Sequence, residues 1–224
     1  MTKQISNGMN RKNKNDKTSI ISVAIILFAV AVLVYFLFKT SLDTSNKTAT
    51  VNNSAGGSLQ GASISKQLSS LVGNPMPDIQ LADKDGKVYK TPDFKGKNTV
   101  LFFSEGLMCY PACWDQIASF GEDERFNTDQ IQAISILADS AEDWQKAIAE
   151  MPKLAKARTL FDENAATSRR LGMLTTASSM HRGMLPGHTY VLLNKDGIVN
   201  YIFDDPNMAI ANDMLLRKIE ELNK

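Results

Sequence analysis

The chain has 224 residues, 43% of them hydrophobic and 22% charged, with 13 Gly, 7 Pro and a formal net charge of +1. These averages exclude collagen, a coiled coil and disorder over the whole chain, and near-neutrality offers no compositional ground for binding nucleic acid. The 2 cysteines, Cys109 and Cys113, are too few for a disulfide-dense secreted scaffold or an all-cysteine structural zinc site.

Residues 1–17 are rich in Asn and Lys and carry Lys3, Arg11, Lys12, Lys14 and Lys17 against Asp16. With too few apolar side chains to build a core, they read as a basic cytoplasmic tail. Residues 20–38, IISVAIILFAVAVLVYFLF, contain no charge and match the length that crosses a bilayer as a helix. A cleaved signal peptide has a shorter apolar core, about 7–15 residues, ending in a small-residue site. Here KTSLDTSNK follows, so a retained transmembrane helix is predicted. The basic flank lies before the span, which predicts a single-pass protein of the cell membrane with its C-terminal domain on the extracytoplasmic side. Residues 39–70, rich in Ser, Thr, Asn and Gly, predict a flexible linker, and residues 71–224 a folded domain.

In that domain, Ile79 to Leu81 and Val88-Tyr89 flank the turn Asp83-Lys84-Asp85-Gly86 and predict a small hairpin. Thr99 to Phe103 is a continuous apolar strand of the kind buried on both faces. Pro111 stands at a tolerated helix-start position, with Trp114, Ile117, Ala118 and Phe120 as the apolar stripe and Gly121 as the expected stop. A strand over Gln132 to Leu137 follows, then a helix capped by Ser140 and running to Met151. Thr159 to Phe161 predicts a short strand, and Asn164 to Leu171 a helix stopped at Gly172. Thr189 to Leu193 and Ile198 to Ile202 flank Asn194-Lys-Asp-Gly197, a hairpin signal, and Asn207 to Leu222 closes the chain as an amphipathic helix. This order predicts an α/β domain whose central mixed sheet has helices on both faces.

Several pieces resemble one family. VLFFSEGLMCYPACWDQI is similar to the strand, active-site loop and helix of thioredoxin-like proteins, especially the redoxin branch that contains alkyl hydroperoxide reductase and thiol-specific antioxidant proteins. NPMPDIQLADKDGKVYKTPDFKGKN resembles the leader of that peroxiredoxin-like branch, TLFDENAATSRRLGML its later strand and helix, and HTYVLLNKDGIV its last two strands. The resemblance covers about Leu71 to Leu222. It implies a thioredoxin-like fold and a thiol-dependent oxidoreductase that reduces hydroperoxides or protein disulfides, with a thiol reductant or a partner protein's disulfide as the other reactant and no cofactor.

The residues at the site agree with that implication. A thiol on the loop after a buried strand, at a helix N-terminus, meets unpaired N–H groups and the positive end of the helix dipole, which favours the reactive thiolate. With Pro111 near the helix start, a spacing of four brings Cys109 and Cys113 within disulfide reach. Reversible dithiol–disulfide exchange is then the expected chemistry, with Cys109 as the more exposed nucleophile and Cys113 resolving; alignment to peroxiredoxins reverses these roles.

The sequence departs from the family at named places. The peroxiredoxin pattern has Thr three residues before its reactive Cys, where this chain has Tyr110 before Cys113 and Gly106 before Cys109. The branch also places Arg shortly before the strand matching Tyr190 to Leu193, where this chain has His188. A second resemblance, to membrane-tethered copper-delivery proteins of the same fold, implies instead a copper site of Cys109, Cys113 and His188. The plainer expectations are a hydrogen-bonded structural His188, an exposed His181 in the irregular Thr175–Gly187 stretch, and Trp114 in the core. Glu105 and Asp115 read as solvated, and Asp204 and Asp205 as a polar strand end before Pro206.

Overall fold

A computed structural model describes residues 64–222. The predicted tail, the predicted span at 20–38 and most of the predicted linker lie outside these residues. Among the described residues no helix is long and apolar enough to cross a membrane.

The first element lies inside the predicted linker: α1, Lys66–Ser69, is capped by the Ser65 hydroxyl, which accepts from the Leu68 amide at 3.1 Å. Leu68 is fully buried, and this one apolar anchor starts the folded domain earlier than residue 71. The predicted hairpin follows as β1, Gln80–Ala82, and β2, Val88–Lys90, paired antiparallel. In its turn the Asp83 carboxylate accepts from the amides of Asp85 and Lys87 at 2.9 and 3.0 Å.

β3, Asn98–Ser104, is buried at every residue, as its unbroken apolar run requires of a central strand. It leads into α2, Ala112–Glu122, then β4, Ile131–Leu137, α3, Ala141–Glu150, β5, Thr159–Phe161, and α4, Ala166–Arg170. The chain ends with β6, Thr189–Leu193, β7, Val199–Asp204, and α5, Asn212–Leu222.

The seven strands form one sheet in the order β2-β1-β5-β4-β3-β6-β7. β3 runs parallel to β4 and β4 to β5, while the outer pairings are antiparallel, so the sheet is mixed as expected. Alternation along β3 separates two apolar layers. Val100 and Phe102 pack with Trp114, Ile117 and Phe120 of α2, Trp144 of α3 and Leu215 and Ile219 of α5. Leu101 and Phe103 face the opposite layer with Leu68, Met76, Phe94, Leu171 and Met173.

Three boundaries differ from expectation, each for a local reason. Gly121 lies inside α2 instead of stopping it, and a Cβ there would stand 2.6 Å from the Ala157 amide nitrogen, so the glycine serves close packing. The helix expected from Asn164 begins at Ala166, because Asn164 and Ala165 take positive φ (62° and 53°) while the buried Asp162 carboxylate accepts from the amides of Thr167 and Ser168 at 2.7 and 2.8 Å. The last helix begins at Asn212, not Asn207: Asp205 accepts from the amides of Asn207 and Ala209, both at 2.9 Å, and holds that stretch as a turn.

Candidate active site

β3 ends at Ser104, and the chain passes through Glu105 and the tight turn Gly106–Cys109 before Pro111 opens α2. Gly106 has φ +62°, and a Cβ on it would stand 1.7 Å from an oxygen of Asp139, so only glycine fits. Asp139 accepts from the Leu107 amide at 3.0 Å, and the Trp114 indole donates to the Gly106 carbonyl at 3.2 Å. The turn is therefore tied both to the end of β4 and to the first turn of α2. Burial raises the Asp139 carboxyl above its ordinary range, against the bond from the Leu107 amide, which lowers it.

Cys109 and Cys113 form a disulfide with Cα atoms 5.3 Å apart. Both residues are buried, 1% and 0% exposed, so exposure does not single out Cys109 as the nucleophile. Met108 and Tyr110, on either side of Cys109, are exposed, and the Met208 sulfur lies 3.9 Å from Cys109 Sγ. The Tyr110 ring stands edge-on to Trp114 at 4.9 Å, and Trp114 is buried as expected.

His188 is brought to this pair across the sheet. It is fully buried just before β6, with Nδ1 3.5 Å from Cys113 Sγ and Nε2 2.8 Å from the Tyr190 hydroxyl, and the Phe102 ring stands edge-on to it at 4.6 Å. Burial pushes its pKa down to about 4, against the Asp205 charge and the Ala209 carbonyl, which both raise it. The ring is therefore neutral at pH 7. One ring nitrogen of His188 and the two sulfurs lie within 4.8 Å of one another. The sulfurs are bonded to each other, so in this state the set offers a metal no thiolate, and the copper expectation gains nothing further from it.

Glu105 corrects the sequence reading. It is 1% exposed, not solvated, and accepts from the amides of Met180 and His181 at 2.6 and 3.1 Å and from the His181 ring at 2.7 Å. It thereby ties the irregular 176–187 segment to the residue before the turn that carries Cys109, while His181 remains partly exposed. Asp204 and Asp205 are also buried: Asp204 accepts from the Ser178 amide and hydroxyl and from the Thr189 hydroxyl, and Ser178 in turn accepts from the His188 amide at 2.7 Å. Asp115 is half exposed, as expected. Glu105→Ala leaves two amides without their buried acceptor, an expected loss of about 2 kcal/mol. Amide hydrogen exchange at Met180 and His181 checks this: faster exchange is expected, and unchanged protection contradicts it.

Fold and site together define a thioredoxin-like α/β domain with paired cysteines at the junction of a central strand and its following helix. The chain belongs to the Redoxin family, which matches residues 71–215. It is 31% identical over 134 residues to a chloroplastic peroxiredoxin Q of Triticum aestivum, an alignment covering 59% of this chain and 58% of that protein. The chain thus spans less than two thirds of that relative's length. Its fold is similar to that of a peroxiredoxin-like protein from Aquifex aeolicus (TM-score 0.54, 19% identity, 67% of this chain and 86% of that one). It is also similar to a yeast mitochondrial 1-Cys peroxiredoxin whose thiol is resolved via glutathione and thioredoxin systems (TM-score 0.57, 16% identity, 68% and 76%).

Proposed function

We propose that this protein is a peroxiredoxin-like thiol oxidoreductase that cycles Cys109 and Cys113 between dithiol and disulfide while reducing a hydroperoxide or a protein disulfide. The observation carrying this reading is the bonded pair itself, set where a strand meets a helix N-terminus and backed by a neutral imidazole. Two electrons and two protons leave the thiols as the disulfide forms, and an external thiol reductant, of the kind named for the yeast relative, restores them. Turnover of hydrogen peroxide and of insulin by the full chain, with dithiothreitol as reductant, tests the reading. Consumption of either above the uncatalysed rate supports it, and activity towards neither overturns it.

The same proposal places the domain outside the cell membrane, held by residues 20–38, because that uncharged run follows a basic flank. The full chain should stay with membranes through alkaline carbonate washing, and a chain lacking residues 1–38 should not. Equal release of both contradicts the anchor.

A further inference from the structure

The His188 ring is held by a chain of donors and acceptors whose directions can be assigned. The Ala211 backbone amide can only donate, and it lies 2.8 Å from Gln116 Oε1, which makes that atom an acceptor. Gln116 Nε2 must then donate to Asn212 Oδ1 at 2.9 Å. The far end agrees: Asn212 Nδ2 lies 2.9 Å from the carboxylate of Asp123. Hydrogen bonding from Arg125 holds that carboxyl at about 2, so it is an ionised acceptor at neutral pH. Both amides are thus oriented independently at their two ends.

The same Gln116 Oε1 lies 2.9 Å from the Tyr190 hydroxyl, so the phenol donates to it. Burial keeps that phenol protonated. The lone pairs of the Tyr190 oxygen are left for His188 Nε2, which must carry a hydrogen to meet them at 2.8 Å. A neutral ring has one N–H, so Nδ1 is bare, and it faces Cys113 Sγ at 3.5 Å. The groups around the ring are Cys113 from α2, Phe102 from β3, Tyr190 from β6, Ser178 bonded to its backbone amide, and Asp205 with the Ala209 carbonyl from the segment before α5. Cys109 Sγ also lies within 4.8 Å of a ring nitrogen, but the sulfur in hydrogen-bonding contact with Nδ1 is that of Cys113, and the contact Cys109 makes is with the thioether of Met208, a much weaker acceptor.

We propose that His188 is the general base for the Cys113 thiol, its tautomer set by the hydrogen-bonded run from Ala211 through Gln116 and Tyr190, and that Cys113 is therefore the attacking sulfur. This rests on the proposed dithiol cycle and deepens it. In the reduced protein the Cys113 S–H donates to Nδ1. As sulfur attacks a hydroperoxide, an S–O bond forms, the O–O bond breaks and the thiol proton moves to Nδ1. The departing alkoxide or hydroxide takes a proton from the ring, leaving the neutral base, a sulfenic acid on Cys113 and an alcohol or water. The Cys109 thiol then displaces hydroxide from that sulfur, giving the disulfide and, with its proton, water. Tyr190 and Gln116 are positioning residues. Where the family has a cationic Arg, this chain uses a neutral acceptor.

The test follows single thiols in the reduced full chain, Cys113 alone in Cys109→Ser and Cys109 alone in Cys113→Ser, against hydrogen peroxide and iodoacetamide. General base assistance makes the Cys113 rate nearly flat with pH from neutrality up to an ordinary thiol value of about 8.5, because burial keeps the ring uncharged over that range. Adding His188→Gln should lower that rate at pH 7 by about 10²-fold and restore a tenfold rise per pH unit. Adding Tyr190→Phe should lower it less and leave the profile between these two. Iodoacetamide needs only an attacking sulfur, so a flat Cys113 profile with it alone, and no peroxide or insulin turnover, upholds the base and sinks the oxidoreductase reading. A tenfold rise per pH unit in the unsubstituted His188 background overturns the proposal, as does reaction at Cys109 alone. Long-range proton–nitrogen NMR of the unaltered protein reads the tautomer without any variant. A hydrogen on Nε2 is expected, and one on Nδ1 overturns the proposal.

Discussion

Cys113→Ser is expected to abolish dithiol-linked turnover of peroxide and insulin, and Cys109→Ser to spare the first oxidation but lose the internal disulfide, so that further turnover is slower and depends directly on the concentration of external thiol. Both serines remove the S–S bond that closes the cycle. They differ in what survives: a chain with Cys113 retains the sulfur beside the imidazole, 3.5 Å from Nδ1, and forms a sulfenic acid. A chain with Cys109 retains a sulfur 3.9 Å from the Met208 thioether, near the same ring, within 4.8 Å of its nitrogen, but outside hydrogen-bonding contact with it. Steady-state rates check the first expectation and a sulfenic-acid trap the second. Turnover persisting in Cys113→Ser would show that Cys113 is not the attacking sulfur, and turnover at the unsubstituted rate in Cys109→Ser would show that the internal disulfide is not part of the cycle.

The second large effect is on stability and concerns acid. His188 titrates at about 4 in the folded chain against 6.5 for an ordinary histidine, chiefly through burial. A folded-state pKa below the unfolded one means that the unfolded chain gains a proton first as pH falls. Stability from this group is therefore complete above about 6.5 and is lost progressively as pH drops to about 4. A shift of this size corresponds to about 3 kcal/mol, at roughly 1.4 kcal/mol per pH unit. Asp123, held at about 2 mainly by Arg125, adds a loss of the same sign only at lower pH, between about 3.8 and 2, so the two windows separate. Urea unfolding of the oxidised chain at pH 7 and pH 4, compared with His188→Gln, isolates the histidine. The unsubstituted chain is expected to lose about 3 kcal/mol more than the variant over that interval. Equal losses would contradict the account of a buried neutral ring.

What was legible in the sequence follows from how local each signal is. β3 and β6 were readable because an unbroken apolar run has few places to go except the middle of a sheet. The hairpin turns were readable because Asp83 and Asn194 bond their own neighbouring amides. The cysteine pair was readable because its spacing and its place before a helix are contiguous features. The boundaries that shifted were set by contacts distant in sequence or by side chains that look ordinary in a string: Gly121 packs on residues 156–157, and Asp162 caps a helix four residues on.

The site's polar interior was least legible. Glu105 looked like a solvated loop residue, and its burial depends on two amides 75 and 76 residues away. Gln116, beside the apolar stripe of α2, lies wholly inside and sets the hydrogen-bond direction at Tyr190. One signal was available: His188 just before β6 and Tyr190 within it, two apart along extended chain, put two polar groups on one side of a run that is otherwise apolar, so a polar partner had to lie opposite. Which partner it was required the crossing of α2 and α5 over β6, which no local pattern encodes.

The most direct measurement of the central claim is the thiol state of Cys109 and Cys113 through a full cycle, read by alkylation and mass spectrometry of the unaltered chain. After one equivalent of hydrogen peroxide both cysteines should resist labelling, joined to each other. After dithiothreitol both should label fully, and a second addition of peroxide should close the bond again. Two labelled thiols persisting after peroxide, or a disulfide that dithiothreitol leaves intact in the folded protein, would contradict a redox cycle at this pair.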